Sequence, residues 1–461
     1  MKNVMNCLQL PLCEKKIPFQ GDPLLCAALF ADSGLADEYL VYEKGGEWFL
    51  GFGVAALLRF NAETTTLQAG GQSFSWKSGP AADSVHQALQ FLPMEKWRAY
   101  GIAHFELARH TYRLAPATPA QDLLHLFVPA FEVHLQDNWA TLRAMDGVPF
   151  LQLATLFQDI QQEILRESGR AQRLAHLEER IRDRRLAVPD MRTCNTGAYG
   201  RAVTEAVREI AARRYKKVIL SRSIPLPRPI DMVATYVAGR RANTPARSYL
   251  LKLDGLEACG FSPETVLEAD ADGWVSTRPL AGTRALGDSQ EEERRLRDDL
   301  LNDTKEVHEH AVSVQLAFAE LGGVCRQGSV CVNDFMSVSR RNSVQHLASR
   351  LKGHLRNGYS AWHAFDALFP AVTATGIPKK ESIEAIARME PGPRGLYAGC
   401  VMLADHTGAL DAALVLRSVY QQGNRAWMQV GAGIVEKSTP EREIEETCEK
   451  ISSVSRYLVH A

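Results

Sequence analysis

Apolar and polar positions alternate through the first part of the chain. In Glu38-Tyr-Leu-Val-Tyr-Glu and Glu47-Trp-Phe-Leu-Gly-Phe-Gly the period is near two, the pattern of half-buried strands. Residues 1 to about 135 therefore read as short strands joined by turns. From about 151 to 187 the pattern becomes helical and highly charged. Ile164, Leu174, Leu177 and Ile181 mark its apolar side, and arginines and glutamates fill the rest. A solvated helix connecting two parts is expected there, ended by Pro189.

Beyond residue 196 strands and helices mix without strict alternation. A helix through Val203–Arg213 leads into a strand opening at Lys217, and strands are expected at Ser248–Leu253 and Ala258–Ala269. One long helix is expected over Gln290–Leu321, and a hairpin over Leu410–Val435 turning at Gln422-Gly-Asn-Arg. A last helix runs from Thr439 to Leu458, with Thr439, Pro440 and Glu441 as its start signal. The fold class is α+β: large antiparallel sheets with helices packed outside. Residues 1–190 form a strand-rich part and a connecting helix, expected to add to the same fold as the motif-dense region 191–461.

Composition changes this picture little. The 461 residues are 46% apolar and 23% charged, and 53 basic residues nearly cancel 54 acidic ones. That balance points away from nucleic acid and from a membrane surface as partners. No signal-peptide pattern or bilayer-length apolar run is read. Nine cysteines without a C-x-x-C pair fit a reducing cytoplasm better than a disulfide or zinc framework.

Candidate chemistry comes from a few constellations. Glu306 and Glu309 sit three apart on one helix, as do Glu443 and Glu446 on another, so each pair shares a helix face. A solvated face explains one such pair. Two pairs facing each other could hold a hard cation, which takes oxygen ligands. Gly431-Ala432-Gly433 lies on a strand, where glycines permit close backbone approach by a ligand or simply close packing. Arg417 lies in an apolar run, Leu414-Val-Leu-Arg-Ser-Val-Tyr, expected to be a strand that it shares with Val415 and Val419. A charge there needs a partner, either a structural carboxylate or a ligand. Lys217 at a strand start, Glu264 after a Ser-Pro turn and His346 in an apolar run complete the set.

Several longer motifs occur together. They are Gly260-Phe-Ser-Pro-Glu, Pro279-Leu-Ala-Gly-Thr-Arg, Asp303-Thr-Lys-Glu-Val-His-Glu-His, Ser343-Val-Gln-His-Leu, Asp411-Ala-Ala-Leu, Gly431-Ala-Gly-Ile-Val and Pro440-Glu-Arg-Glu-x-Glu-Glu-Thr-x-Glu-Lys. In unbroken order over about residues 196–458, they resemble the chorismate-utilising enzymes. Lys217 is similar to the lysine of the water-using branches. Ala281 stands where the aminodeoxychorismate-forming branch carries a nucleophilic lysine, so no glutamine amidotransferase partner is expected. Phe369-Pro-Ala-Val-Thr-Ala-Thr-Gly-Ile-Pro-Lys, Arg394-Gly-Leu-Tyr-Ala-Gly and Asp334-Phe-Met-Ser-Val resemble the salicylate-forming branch. Asn342, Ala348 and Thr375 depart from its usual pattern near the expected pocket.

The resemblance implies conversion of chorismate to isochorismate and then to salicylate and pyruvate, with siderophore biosynthesis as the usual use. An enzyme that releases isochorismate is the alternative, and a non-catalytic binding homologue a more distant one. It implies Lys217 as base, Glu264 as acid and His346 as an orienting residue near the leaving hydroxyl. Those roles need one environment that lets an ammonium release its proton and another that keeps a carboxylic acid protonated. Mg²⁺ is the implied cofactor, with Glu309 and Glu446 as ligands and Glu306 and Glu443 acting directly or through water. Gly282, Thr283, Tyr397, Arg417, Gly431, Ala432, Gly433 and Lys450 are the implied substrate-binding residues. A monomer is expected.

Overall fold

The structure, a computed structural model, describes residues 11–117, 121–145, 148–165, 172–287, 289–341 and 344–461. Asn342 and Ser343 lie outside the described residues, as does the side chain of Thr283. Among the described residues there are 21 strands. Two long ones, Glu47–Phe60 and Leu124–Gln136, organise the rest. They pair antiparallel from Trp48↔Leu135 to Phe60↔Leu124, with one register shift between Val54 and Ala56. The first half of Glu47–Phe60 also pairs with Tyr39–Lys44, and its second half with Thr64–Ala69. Each long strand thereby serves two sheets.

One sheet continues from Tyr39–Lys44 through Arg247–Leu253, Leu256–Ser262, Ser418–Gln422 and Arg425–Ile434 to Lys217–Pro225. The other continues from Leu124–Gln136 through Arg98–Ala103, Cys400–Asp405, Leu410–Leu414, Thr265–Ala269 and Trp274–Thr277 to Val344–His354. Strands from the first 150 residues are thus hydrogen-bonded neighbours of strands from the last 220.

The central core holds Tyr42, Tyr249 and Leu251 of one sheet against Tyr100, Leu267 and Leu403 of the other. A second core covers the outer face of the first sheet. There Val41 and Leu250 meet Leu29, Phe157, Leu177 and Val237 from helices Pro23–Ala31, Phe150–Leu165, Gln172–Asp183 and Met232–Ala242. The charged 151–187 stretch is therefore two amphipathic helices packed on a sheet, not one solvated connector. Leu153, Phe157 and Ile160 recur at helical spacing and are buried. The second of these helices ends at Asp183, before Pro189.

Three further expectations are corrected. The long helix divides into Gln290–Asn302 and Thr304–Val324, because Asp303 leaves helical geometry and caps the second piece. Its carboxylate accepts from Lys305 N at 2.9 Å and Glu306 N at 3.2 Å. The strand expected at Ala258–Ala269 breaks into Leu256–Ser262 and Thr265–Ala269, with Glu264 in the break. The expected Leu410–Val435 hairpin is three strands: only Ser418–Gln422 and Arg425–Ile434 form the hairpin at Gly423-Asn424, while Leu410–Leu414 lies in the other sheet. Arg417 sits between them at φ 52° and is not a strand residue.

Candidate active site

The strand Lys217–Pro225 carries Lys217 at its first position, 5% exposed. It runs antiparallel to Arg425–Ile434, which sets Gly433 opposite Ile219 and Gly431 opposite Ser221. A Cβ added at Gly433 would stand 3.1 Å from the Lys217 Cε, and one at Gly431 would stand 2.9 Å from the Tyr397 hydroxyl. The Gly431–Gly433 stretch is therefore the floor on which Lys217 and Tyr397 rest, and larger residues would displace both. The Lys217 ammonium forms an ion pair with Glu309. Burial opposes the Glu309 charge, but Lys217 more than offsets it and holds that carboxyl below its usual range.

Glu264 is 5% exposed, in the break between two strands. It accepts from the Thr373 hydroxyl at 2.7 Å and from the Leu280 amide at 3.2 Å. Burial pushes its carboxyl up to about 7, against the pull of those two bonds and of Arg417 and Lys217. Near neutral pH it can therefore carry the proton that a general acid must give.

Arg417 and His346 form a second group. His346 is buried, and its Nε2 lies 3.2 Å from the Arg417 Nη2. The backbone of His346 is paired with Thr283 on one side and Ser339 on the other. The left-handed backbone of Arg417 is uncommon for an arginine and costs energy that a strand geometry would not. Gly282 also has a positive φ, 78°, and a Cβ there would meet Glu306 at 3.2 Å.

The two glutamate pairs lie on helices Thr304–Val324 and Pro440–Ser455. Lys450 donates to Glu446 at 2.6 Å and to the Gly431 carbonyl at 3.4 Å. Desolvation opposes its charge, yet Glu446, then Glu309 and Glu443, raise its pKa, so carboxylates of both helices act on one ammonium. Glu306 is raised first by burial and then by Glu309, and Glu443 first by burial and then by Glu446. Glu443 Oε2 is buried with no hydrogen-bond partner among the described residues. Also among the described residues, no group of three or more His, Cys, Asp or Glu side chains is arranged as a metal-holding cluster.

The structure thus joins Lys217 to Glu309 and Gly433, Tyr397 to Gly431, Glu306 to Gly282, Arg417 to His346, and Lys450 to Glu446 and Gly431. Sequence reasoning missed Thr373, which lies within the quoted Phe369–Lys379 stretch but has nothing local to mark it. It also missed Arg394, whose guanidinium is buried against Glu390. No described helix is long and apolar enough to cross a membrane.

Comparison with known proteins gives consistent results. The family profile described as chorismate binding enzyme matches residues 37–456. A salicylate synthase of Mycolicibacterium paratuberculosis is 39% identical over 454 residues, which is 96% of this chain and 95% of that protein. An anthranilate synthase component 1 of Aquifex aeolicus is 40% identical over 210 residues, 46% of this chain and 42% of that one. Among solved structures, the menaquinone-specific isochorismate synthase of Escherichia coli superposes with a TM-score of 0.73 at 21% identity, covering 97% of this chain and 94% of that one. Anthranilate synthase component I of Streptococcus pneumoniae gives 0.72 at 23%, covering 90% and 92%. At those identities the two structures speak for the fold alone.

Proposed function

We propose, since the chain belongs to the chorismate-binding enzyme family, that it converts chorismate to isochorismate and then to salicylate and pyruvate. The observation that carries this reading is the 39% identity to a salicylate synthase across nearly the full length of both chains. The site geometry supports the chemistry. Hydroxide is a poor leaving group, so loss of the C4 hydroxyl needs an acid, and Glu264 is a buried carboxyl that holds its proton near pH 7. Water is a weak nucleophile, so attack at C2 needs a base, for which Lys217 is the candidate. It must first leave its ion pair with Glu309. General acid and base contributions are each on the order of 10²–10⁴-fold.

Arg417 can grip a carboxylate with two parallel N–H donors, and the Gly431–Gly433 backbone with Tyr397 offers close contact beside it. His346, next to Arg417, orients the ring. The second step moves the C2 hydrogen onto the enolpyruvyl methylene, breaks the C3–O bond and makes the ring aromatic. It needs a held conformation rather than a further base.

Magnesium fits the donor set. Four carboxylates on two helices are hard oxygen donors, one of them has a buried oxygen with no hydrogen-bond partner among the described residues, and the burial and then the like-charge repulsion that raise Glu306 and Glu443 are costs a cation relieves. Glu309 and Glu446 would hold the ion, with Glu306 and Glu443 directly or through water. When bound it would neutralise charge and orient the substrate carboxylate. Removal of divalent metal with EDTA is expected to abolish turnover and Mg²⁺ to restore it. Mg²⁺ alone should raise the melting temperature, and the rise should continue with the logarithm of its concentration above the dissociation constant. Full turnover in EDTA would sink the metal assignment. A cytoplasmic enzyme serving siderophore biosynthesis, without an amidotransferase subunit and acting as a monomer, completes the proposal.

A further inference from the structure

Arg394 belongs to neither the acid–base set nor the carboxylate set, yet it touches the strand that carries Lys217 and the segment that carries Thr373, the hydrogen-bond partner of Glu264. It is 4% exposed. Its Nη1 donates at 2.8 Å to the carbonyl of Ala374, next in the chain to Thr373. Its Nη2 donates at 2.6 Å to the carbonyl of Ile219, two residues beyond Lys217. Glu390 grips the same guanidinium through two bonds, 3.0 Å from Nε and 2.5 Å from Nη2. Glu390 Oε1 also accepts from the Ser221 amide at 2.7 Å, on the Lys217 strand. The guanidinium lies 5.6 Å from the ring centre of Tyr397 and 4.5 Å from that of Phe105. Glu106 fixes the backbone of Arg394 and Gly395 with bonds of 2.8 and 3.1 Å.

A buried ion pair is a poor source of stability, because desolvating two charges offsets much of their attraction. This one spends its spare donors on two particular carbonyls and leans on a third site-bearing segment. We propose that Arg394, held by Glu390, is a positioning residue that sets the Lys217 strand, the Thr373 turn and Tyr397 in register with one another. The planar fork is what makes this possible; a lysine ammonium cannot reach both carbonyls and both carboxylate oxygens at once. Misplacement by about 1 Å can cost on the order of 10²-fold in rate. The inference rests on the acid–base reading above.

Its effect reaches Glu264 through Thr373. That hydroxyl pulls the acid's pKa down, so a turn that drifts lets it rise. The charged groups acting on Glu264 are Arg417 and Lys217, and Arg278 and Glu320 line the cavity behind it. None of these is bonded to Arg394.

The test measures kcat, KM and the pH profile with chorismate and Mg²⁺ for wild type, Arg394→Lys, Thr373→Val and the double variant, with melting temperatures alongside. Arg394→Lys is expected to lower kcat by about 10- to 100-fold with little change in KM. It should move the alkaline fall in kcat/KM to higher pH, as Thr373→Val does, and the double variant should lose less than the product of the two single losses. Glu390→Gln, which keeps the arginine but loosens its hold, is read the same way if Arg394→Lys does not fold. An unchanged kcat and pH profile, or losses that multiply in the double variant, overturn the inference. A wild type that does not turn over chorismate overturns the acid–base reading instead.

Discussion

Glu264 keeps its proton up to about pH 7 only because burial outweighs two hydrogen bonds and two cations. Two expectations follow from that single carboxyl. The general acid must carry a proton, so kcat/KM should fall about tenfold per pH unit once the pH passes about 7. Glu264→Gln should remove that limb together with most of the activity. The second expectation concerns stability. The folded-state pKa is raised above the ordinary 4.5, so the unfolded chain ionises first as the pH rises. The wild type therefore loses stability between about pH 4.5 and 7, up to about 3 kcal/mol, and Glu264→Gln should be the more stable protein above that window. Urea unfolding at pH 4 and at pH 8 measures it; equal wild-type and variant midpoints at pH 8 would contradict the burial argument. Lys217 stood out in the sequence as a lysine opening an apolar strand and Glu264 as a carboxylate after a Ser-Pro turn, and the motifs around them supplied their roles. Their partners did not. Glu309 lies 92 residues from Lys217, and Thr373 lies 109 from Glu264, and no local pattern records a contact at that separation.

Elements were legible where one local rule decided them and misread where two rules competed. The Pro440–Ser455 helix kept its Thr-Pro start, and Thr439 accepts from Arg442 N at 3.4 Å. The 290–321 run reads as one long helix, but Asn302-Asp303-Thr304 is also a start signal. The start signal prevailed, since Asp303 satisfies two amides of the second helix and pairs with Arg284 at 2.5 Å. The break places Glu306 in the first turn of its helix, where a carboxylate meets free amides and the positive end of the dipole. Asp303→Ala is expected to cost about 1 kcal/mol in urea unfolding and to weaken Mg²⁺ binding, while Asp303→Asn keeps most of the cap. An Ala variant as stable as wild type would mean that the cap does not hold this helix start. Arg417 shows the opposite failure. Its neighbours are apolar enough for a strand, and only the backbone turn to φ 52°, invisible to periodicity, takes it out of the sheet.

At the scale of the molecule, the period-two pattern and the lack of strict βαβ order were enough to read antiparallel sheets with helices outside. Which strands are neighbours was not legible, because the pairings join distant segments. Tyr39–Lys44 lies beside Arg247–Leu253, and Arg98–Ala103 beside Cys400–Asp405. Asp411 ties these parts together. It accepts from Tyr42 at 2.5 Å and from Arg247 at 2.8 and 2.7 Å, and pairs with Lys44 at 2.9 Å. Arg247 outweighs the burial of that carboxyl and lowers it to about 2. Asp411→Ala would leave the buried Arg247 guanidinium with Glu268, 3.0 Å away, as its one remaining carboxylate among the described residues, which costs up to about 3 kcal/mol, and should destabilise the whole protein rather than the C-terminal part alone. A single cooperative transition at lower temperature is expected in calorimetry; two separated transitions would contradict the shared-core account.

Both steps take place on this chain, and their products report on them directly. Purified protein with chorismate and Mg²⁺ is followed by chromatography, with pyruvate assayed in parallel. Salicylate and pyruvate are expected in equal amounts, with isochorismate appearing early and then declining. Isochorismate that accumulates without pyruvate would contradict that expectation and leave an enzyme of the first step only.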